Sequence, residues 1–359
     1  MPSYEVALGH TQSEARPMWR CLAPFCRTTT LASILCLGLC IIGACRPDSP
    51  NKPVTLTVYS GRGESLVGPL FAQLNQEGKL KVEVQYGKTG EMVTRLMAEG
   101  AASPADIIFA QDSGHLGVLA AQGLLAPLPA SLLDQVDPQF RAPGGHWVGT
   151  SGRLRTLVYN TDILGPEALP RSLAELASPK WKGMLGWAPS NGSLHAHISA
   201  LRHTWGEEET RSWLEGVKAN DPTRYPKNSP QVEAANTGAI GLGWVNHYYL
   251  HRLDPVDRKA ANWSFPAQGD MGNILMVSGV GIRQGSKHQA EAEAFVAWLL
   301  SADTQAHFAQ DGFEYPTRPG IPTNSEVPPL DSISLAEVNQ DNLADLGPTR
   351  ELLRELGLL

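Results

Sequence analysis

The chain has 359 residues, with 29 Lys+Arg against 36 Asp+Glu and a formal net charge of −7. Apolar residues make up 42% and charged residues 18%, which excludes an intrinsically disordered chain, since that class is charge-rich and poor in aliphatics. The acidic balance argues against a nucleic-acid partner, because a phosphate backbone calls for a basic face. The length suggests two domains or lobes.

All the cysteines (Cys21, Cys26, Cys36, Cys40 and Cys45) lie at the N-terminus, so cysteine supplies no disulfide or thiolate metal site to the rest of the chain. Residues 28–44 form an apolar run behind Arg16, Arg20 and Arg27. A basic flank, a short apolar core and small residues before a cysteine predict a secretory signal over residues 1–44. A transmembrane anchor is the alternative, but the run sits at the lower limit of about 17 residues for a span, and Thr28–Thr30 weaken it. Met18 is an alternative start. Ile42-Gly43-Ala44-Cys45 resembles the lipobox of bacterial lipoproteins, which implies acylation of Cys45. Residues 45–53 contain Pro47, Pro50 and Pro53 and no large apolar side chain, as expected of a tether between lipid and globule.

Val54–Tyr59 alternates with period two and predicts a strand. Leu66, Val67, Leu70, Phe71 and Leu74 follow at helical spacing, then Leu80, Val82, Val84 and Tyr86 alternate again. Met92, Val93, Leu96 and Met97 predict a second helix, and Ala105–Phe109 a short buried strand. This β-α-β-α-β rhythm implies an α/β domain with a parallel sheet. Ligands in such sheets bind beyond the carboxyl ends of the strands, which here means the loops at 60–64, 86–90 and 110–114.

A second α/β unit follows. Strands are predicted at Thr156–Tyr159, Met184–Trp187 and Ile240–Trp244, with helices near 194–205, 207–218 and 231–237. Ile274–Ile282 reads as a long apolar strand, Ala290–Leu300 and Thr304–Gln310 as helices, and Glu351–Leu356 as a closing helix before Gly357.

Several motifs invite chemistry. Gly61-Arg62-Gly63 with Gly68 has GxGxxxxG spacing, not the GxGxxG of a dinucleotide site, so the expectation is a loop whose backbone N–H groups face a cleft. His247 and His251 have zinc-like i, i+4 spacing, but a zinc protease needs Glu after the first His and Tyr248 stands there. His195 and His197 fall in a helical segment and are expected to be exposed. Tyr248-Tyr249 is more informative: adjacent tyrosines usually pack by their rings, yet phenolate oxygen is also a hard anionic ligand for a trivalent cation such as iron. Asn246 is placed to support the pair. No nucleophile–base arrangement has support from spacing, so no enzymatic turnover is expected.

At this point the sequence resembles the ferric-iron-binding substrate-binding proteins of bacterial ABC importers. The resemblance covers about Val54 to Leu356 and rests on ordered pieces: Val58-Tyr59-Ser60-Gly61-Arg62, Ser103-Pro104-Ala105-Asp106-Ile107, Leu124–Pro129, Ser151-Gly152-Arg153-Leu154-Arg155, Val158-Tyr159-Asn160-Thr161, Ser178–Gly183, Lys227-Asn228-Ser229, Val245–Tyr249 and Glu314-Tyr315-Pro316. It implies a two-lobed periplasmic binding protein fold of type II with two crossover hinge strands. Lobe one would take 54–151 and 273–317, and lobe two 152–272 and 318–359.

The resemblance implies that Tyr248 and Tyr249 bind Fe(III). Some members have a His ligand where this chain has Gly63, and some a Glu where it has Gln111. Glu64 or Asp112 then become weaker candidates, or an exogenous anion such as carbonate or phosphate fills the positions. Arg153 and the Asn191-Gly192-Ser193 turn are the candidate anion site. The implied partners are an ABC permease and its ATPase, and the membrane through a lipid anchor; a monomer is expected on the periplasmic or extracytoplasmic face. Alternatives are capture of thiamine, phosphonate, sulfate or a polyamine, as in the wider superfamily, or a sensing lipoprotein feeding a membrane kinase.

Overall fold

A computed structural model describes residues 54–78 and 80–359. The expected signal segment, Cys45 and the tether lie outside the described residues.

The first βαβ series runs β1 (Thr55–Ser60), α1 (Glu64–Glu77), β2 (Lys81–Tyr86), α2 (Thr89–Glu99), β3 (Ile107–Ala110), α3 (Ser113–Ala121) and a one-turn α4 (Ala130–Leu133). β1 pairs in parallel with both β2 and β3. Local sequence starts and stops these helices. Glu91 reaches back to the Lys88 N–H to open α2, the Asp112 side chain accepts from His115 N to open α3, and Gly78 closes α1 in the left-handed conformation. Val67, Leu70, Phe71 and Leu74 form the buried stripe of α1, as their spacing predicts.

β4 (Val148–Asn160) is a fully buried strand of 13 residues, and the predicted strand at Thr156–Tyr159 is only its end. Its first half carries the polar run Thr150–Arg155, which reads as loop in the sequence, yet Thr150 bonds Ser278 O, Arg153 bonds Gln111 O and Arg155 bonds Asn246 Oδ1. The second unit continues with β5 (Leu185–Trp187), α5 (Gly192–Thr204), α6 (Glu207–Ala219), β6 (Thr223–Arg224), α7 (Asn228–Thr237), β7 (Leu242–Asn246) and β8 (Ala260–Trp263). The chain then returns through β9 (Leu275–Ile282), α8 (Gln289–Leu299) and α9 (Ala302–Gln310), and ends in α10 (Leu346–Glu355), which begins earlier than the predicted closing helix.

The strands lie in the order β2-β1-β3-β9-β4-β7-β5-β6, with β8 on β4. β4 pairs antiparallel with β9 through Val148–Leu154, then with β7 from Arg155 and with β8 from Leu157. β9 in turn pairs with β3. β4 and β9 are therefore the two strands that cross between lobes, and the partner change falls between Leu154 and Arg155.

Each lobe has its own core. Leu56, Phe71, Ile107, Phe109, Val280 and Phe295 are buried in the first, and Leu157, Trp181, Ile198, Leu214, Leu242 and Leu353 in the second. A smaller cluster of Val158, Val232, Ile240, Val245 and Leu250 covers the other face of the second sheet. Val327 joins the first core while Ala336 and Leu343 join the second, so residues 318–359, expected in lobe two, contribute to both. His195 and His197 are buried, contrary to expectation, because Leu194–Arg202 of α5 is covered on every side. Each donates from Nε2 to a backbone carbonyl, of Pro189 and Met271 respectively.

Candidate ligand-binding site

Arg153 and Arg155 are two residues apart on β4, so they share one face of the strand. Both are essentially fully buried. The register Arg155↔Asn246 fixes what meets them. β7 ends at Asn246, and the chain leaves the sheet in a 3-10 turn, His247–Arg252, that carries both tyrosines. Arg155 Nη1 donates to Asn246 Oδ1 at 2.9 Å and Nη2 to Trp244 O at 3.1 Å.

The Tyr248 and Tyr249 rings stack, with centroids 4.4 Å apart and planes at 28°. Ring packing and shared ligation are compatible, because the Tyr249 phenol also lies close enough to act on the Tyr248 hydroxyl. The Arg252 guanidinium lies 5.2 Å from the Tyr248 centroid and 4.6 Å from that of Tyr249. Burial pushes the Tyr248 phenol pKa up, the neighbouring Tyr249 adds to it, and Arg153 opposes. Burial pulls the Arg155 guanidinium down to about 9, against the pull of Tyr249 and Tyr248, which still leaves it cationic at neutral pH. Without a metal, then, Tyr248 is a neutral phenol in a cationic surround.

Lobe one supplies the facing groups. Arg153 Nη2 donates to Gln111 O, which also accepts from Ser278 Oγ at 3.1 Å. Gln111 thus offers its backbone to the arginine. Asp112 is committed elsewhere: it caps α3 and its Oδ1 lies 2.6 Å from His115 Nδ1. Burial works against its carboxylate, but His115 outweighs that and holds the Asp112 pKa below the ordinary value. Glu64 opens α1 and lines an open groove with Gly68, Asn75 and Tyr86. In the loop at Gly61-Arg62-Gly63 the first two N–H groups turn inward. Gly61 N donates to Phe109 O at 2.7 Å and Arg62 N to Ser60 Oγ at 3.2 Å. Only glycine fits at 61, where a Cβ would lie 2.8 Å from Thr89 Cα.

The Asn191–Ser193 turn reaches the same neighbourhood. Asn191 Oδ1 accepts from Ser193 N at 2.9 Å, so that N–H is spent on the cap of α5. Asn246 Nδ2 donates weakly to Ser193 Oγ at 3.4 Å, linking the turn to Arg155. The space beside Gly192 is open, since an added Cβ there would meet nothing within 4 Å. Arg153 Nε and Arg155 Nε are buried without a hydrogen-bond partner. Two buried guanidiniums with spare donors beside an open helix start make an environment for an oxyanion.

The zinc-like histidines bind backbone and protein surface instead. His247 Nδ1 accepts from Leu154 N at 3.0 Å and Nε2 donates to Phe313 O at 2.7 Å. Burial lowers its pKa to about 4, so it is neutral. Sequence reasoning missed Arg155, Arg252 and the buried pair Arg62–Glu314. The two-residue spacing of Arg153 and Arg155 was the one available signal for the first of these.

The model of the bacterial extracellular solute-binding proteins matches residues 102–337. The chain belongs to that family. It is 31% identical over 338 residues to the Fe(3+)-binding periplasmic protein of Serratia marcescens, covering 93% of this chain and 99% of that protein. Among solved structures, iron-bound HitA from Pseudomonas aeruginosa superimposes with a TM-score of 0.78 at 31% identity, over 85% of this chain and 100% of the other. A Trichodesmium protein solved with iron and citrate ligands gives 0.74 at 26% identity, over 85% and 100%. The two-lobed solute-binding fold expected from the resemblance is therefore the fold of this chain.

Proposed function

We propose that this solute-binding protein captures Fe(III) between its lobes, with Tyr248 and Tyr249 as phenolate ligands, and delivers it to an ABC permease driven by its ATPase. The observation that carries the reading is the stacked tyrosine pair set directly beside Arg153 and Arg155. Buried cations lower the cost of phenolate charge, and the metal replaces the phenol protons. Asp112 is taken up by His115 and the α3 cap, and Gln111 is neutral, so the remaining positions of the metal are filled by an anion such as carbonate or phosphate. Arg153, with Arg155 and the Asn191–Ser193 turn, holds that anion. Iron is cargo, and binding without turnover is the whole of the chemistry. Acylation at Cys45 would keep the protein at the extracytoplasmic membrane face, within reach of the permease.

Metal analysis of purified protein, together with its visible spectrum, tests the reading. Phenolate bound to Fe(III) gives a charge-transfer band, so the loaded protein is expected to be coloured. A colourless protein with full iron content would reject tyrosine ligation.

A further inference from the structure

The histidines flanking the tyrosine pair converge on one residue of the other lobe. His247 Nε2 donates to Phe313 O at 2.7 Å, and the His251 ring stacks on the Phe313 ring with centroids 4.4 Å apart and planes at 3°. Phe313 packs against the first core, and its neighbours are anchored there: Glu314 bonds Arg62, and Tyr315 is buried in that core. The contact therefore joins the turn that bears the tyrosines to lobe one.

Phe313 has φ +55°, in the left-handed region that a bulky aromatic seldom occupies. Such a conformation persists where its surroundings over-determine it. Here they do so from both directions. Gly312 lies so close to Phe308 that an added Cβ would stand 2.6 Å from its carbonyl oxygen, and Glu314 is fixed by its ion pair. The two histidines hold the carbonyl and the ring of Phe313 itself.

The tyrosine turn needs such support. A 3-10 segment has poor hydrogen-bond geometry of its own, so the aim of its side chains must be set from outside. His247 and His251 lie on either side of the tyrosines, and gripping both blocks rotation of the turn. The His247 carbonyl is held as well, by Asn262 Nδ2 at 2.8 Å.

We propose that His247 and His251 are positioning residues that clamp Phe313 and thereby fix Tyr248 and Tyr249, against lobe one, in the geometry that holds the metal. The inference rests on the reading of the tyrosines as iron ligands. It gives the i, i+4 histidines a role other than metal ligation.

The decisive comparison is His251→Ala against His251→Phe, in full-length protein loaded with Fe(III). Phe keeps the stack and loses only the 3.4 Å contact to Glu326. His251→Ala is expected to shift the phenolate charge-transfer band and to speed iron loss to excess EDTA by about tenfold, the lower end for loss of a supporting partner at a metal site. His251→Phe is expected to restore both. Phe313→Leu, which removes the stack from the other side, should reproduce the alanine result. A folded His251→Ala protein with the parent band and loss rate would overturn the clamp. If the parent protein itself takes up no iron, the ligand reading has failed, and tyrosine-labelled NMR of the metal-free proteins decides the clamp alone. The Tyr248 and Tyr249 signals should then move in His251→Ala and not in His251→Phe, and unmoved signals would reject it.

Discussion

Arg62 Nη2 lies 2.8 Å from Glu314 Oε2, joining the loop after β1 to the turn after α9 with both side chains out of water. Arg62 Nη1 adds bonds to Glu314 Oε1 at 3.1 Å and to Ser278 Oγ on β9 at 2.7 Å. Removing one partner strands the other charge in the interior. Arg62→Met or Glu314→Met is therefore expected to cost about 3–5 kcal/mol, whereas the two together should cost much less. Urea unfolding of the two single variants and the double variant measures the difference.

The same pair sets an acid limb. Burial disfavours the Glu314 carboxylate, but Arg62, then Arg153 and Ser151, outweigh it and hold the pKa below the ordinary glutamate value. A carboxyl whose folded pKa is depressed contributes stability that is present above its unfolded pKa of about 4.3 and is lost as pH falls through the folded value. Unfolding free energy should thus drop below about pH 4.3, and Glu314→Gln should flatten that drop. An unchanged slope in the variant would show that other carboxylates carry it.

Substituting the tyrosines tests the proposed metal site directly. Tyr248→Phe and Tyr249→Phe should each weaken Fe(III) binding more than the roughly 10–100-fold seen when only a supporting partner is lost. Each should also shift or bleach the visible band. Normal titrations by both variants would remove the pair from the site.

Iron binding should also weaken with acid. The Tyr248 pKa is raised, chiefly by burial, so Tyr248 holds its phenol proton at neutral pH and would have to release it to ligate iron. Each proton released lowers apparent affinity about tenfold for each pH unit of acidification. Retention of iron through an acid titration reads this, and a flat profile well below neutrality would contradict phenolate ligation.

An anion should bind together with the metal. Iron titrations in buffer freed of carbonate and phosphate are expected to be weaker, with a coupling of about 1–3 kcal/mol when either is restored. Arg153→Ala should reduce that enhancement more than it reduces anion-free binding. Equal affinity with and without anion would leave the remaining ligands to the protein.

Membrane attachment is expected to depend on Cys45. Cys45→Ser should leave uncleaved precursor or misplaced protein, because two acyl chains anchor firmly and none does not. Unchanged membrane fractionation would rule out acylation at this residue.

The fold class and the tyrosine pair were readable from sequence because both are local. Val54–Tyr59 and the stripe Val67, Leu70, Phe71 and Leu74 reveal a strand and a helix through period alone, and repetition of that unit implies a layered α/β lobe. Tyr248-Tyr249 stands out because two hard donors are adjacent in the chain. Only tertiary structure decided what surrounds them. Arg155 reaches Asn246 from 91 residues away, Glu314 reaches Arg62 from 252, and His247 reaches Phe313 from 66, through pairings no local pattern encodes. The same long-range packing buried His195 and His197 and extended β4 through a polar run that reads as loop. Polar side chains in a strand look like solvent-facing residues until the partners that satisfy them are in place, and those partners come from distant parts of the chain in either lobe.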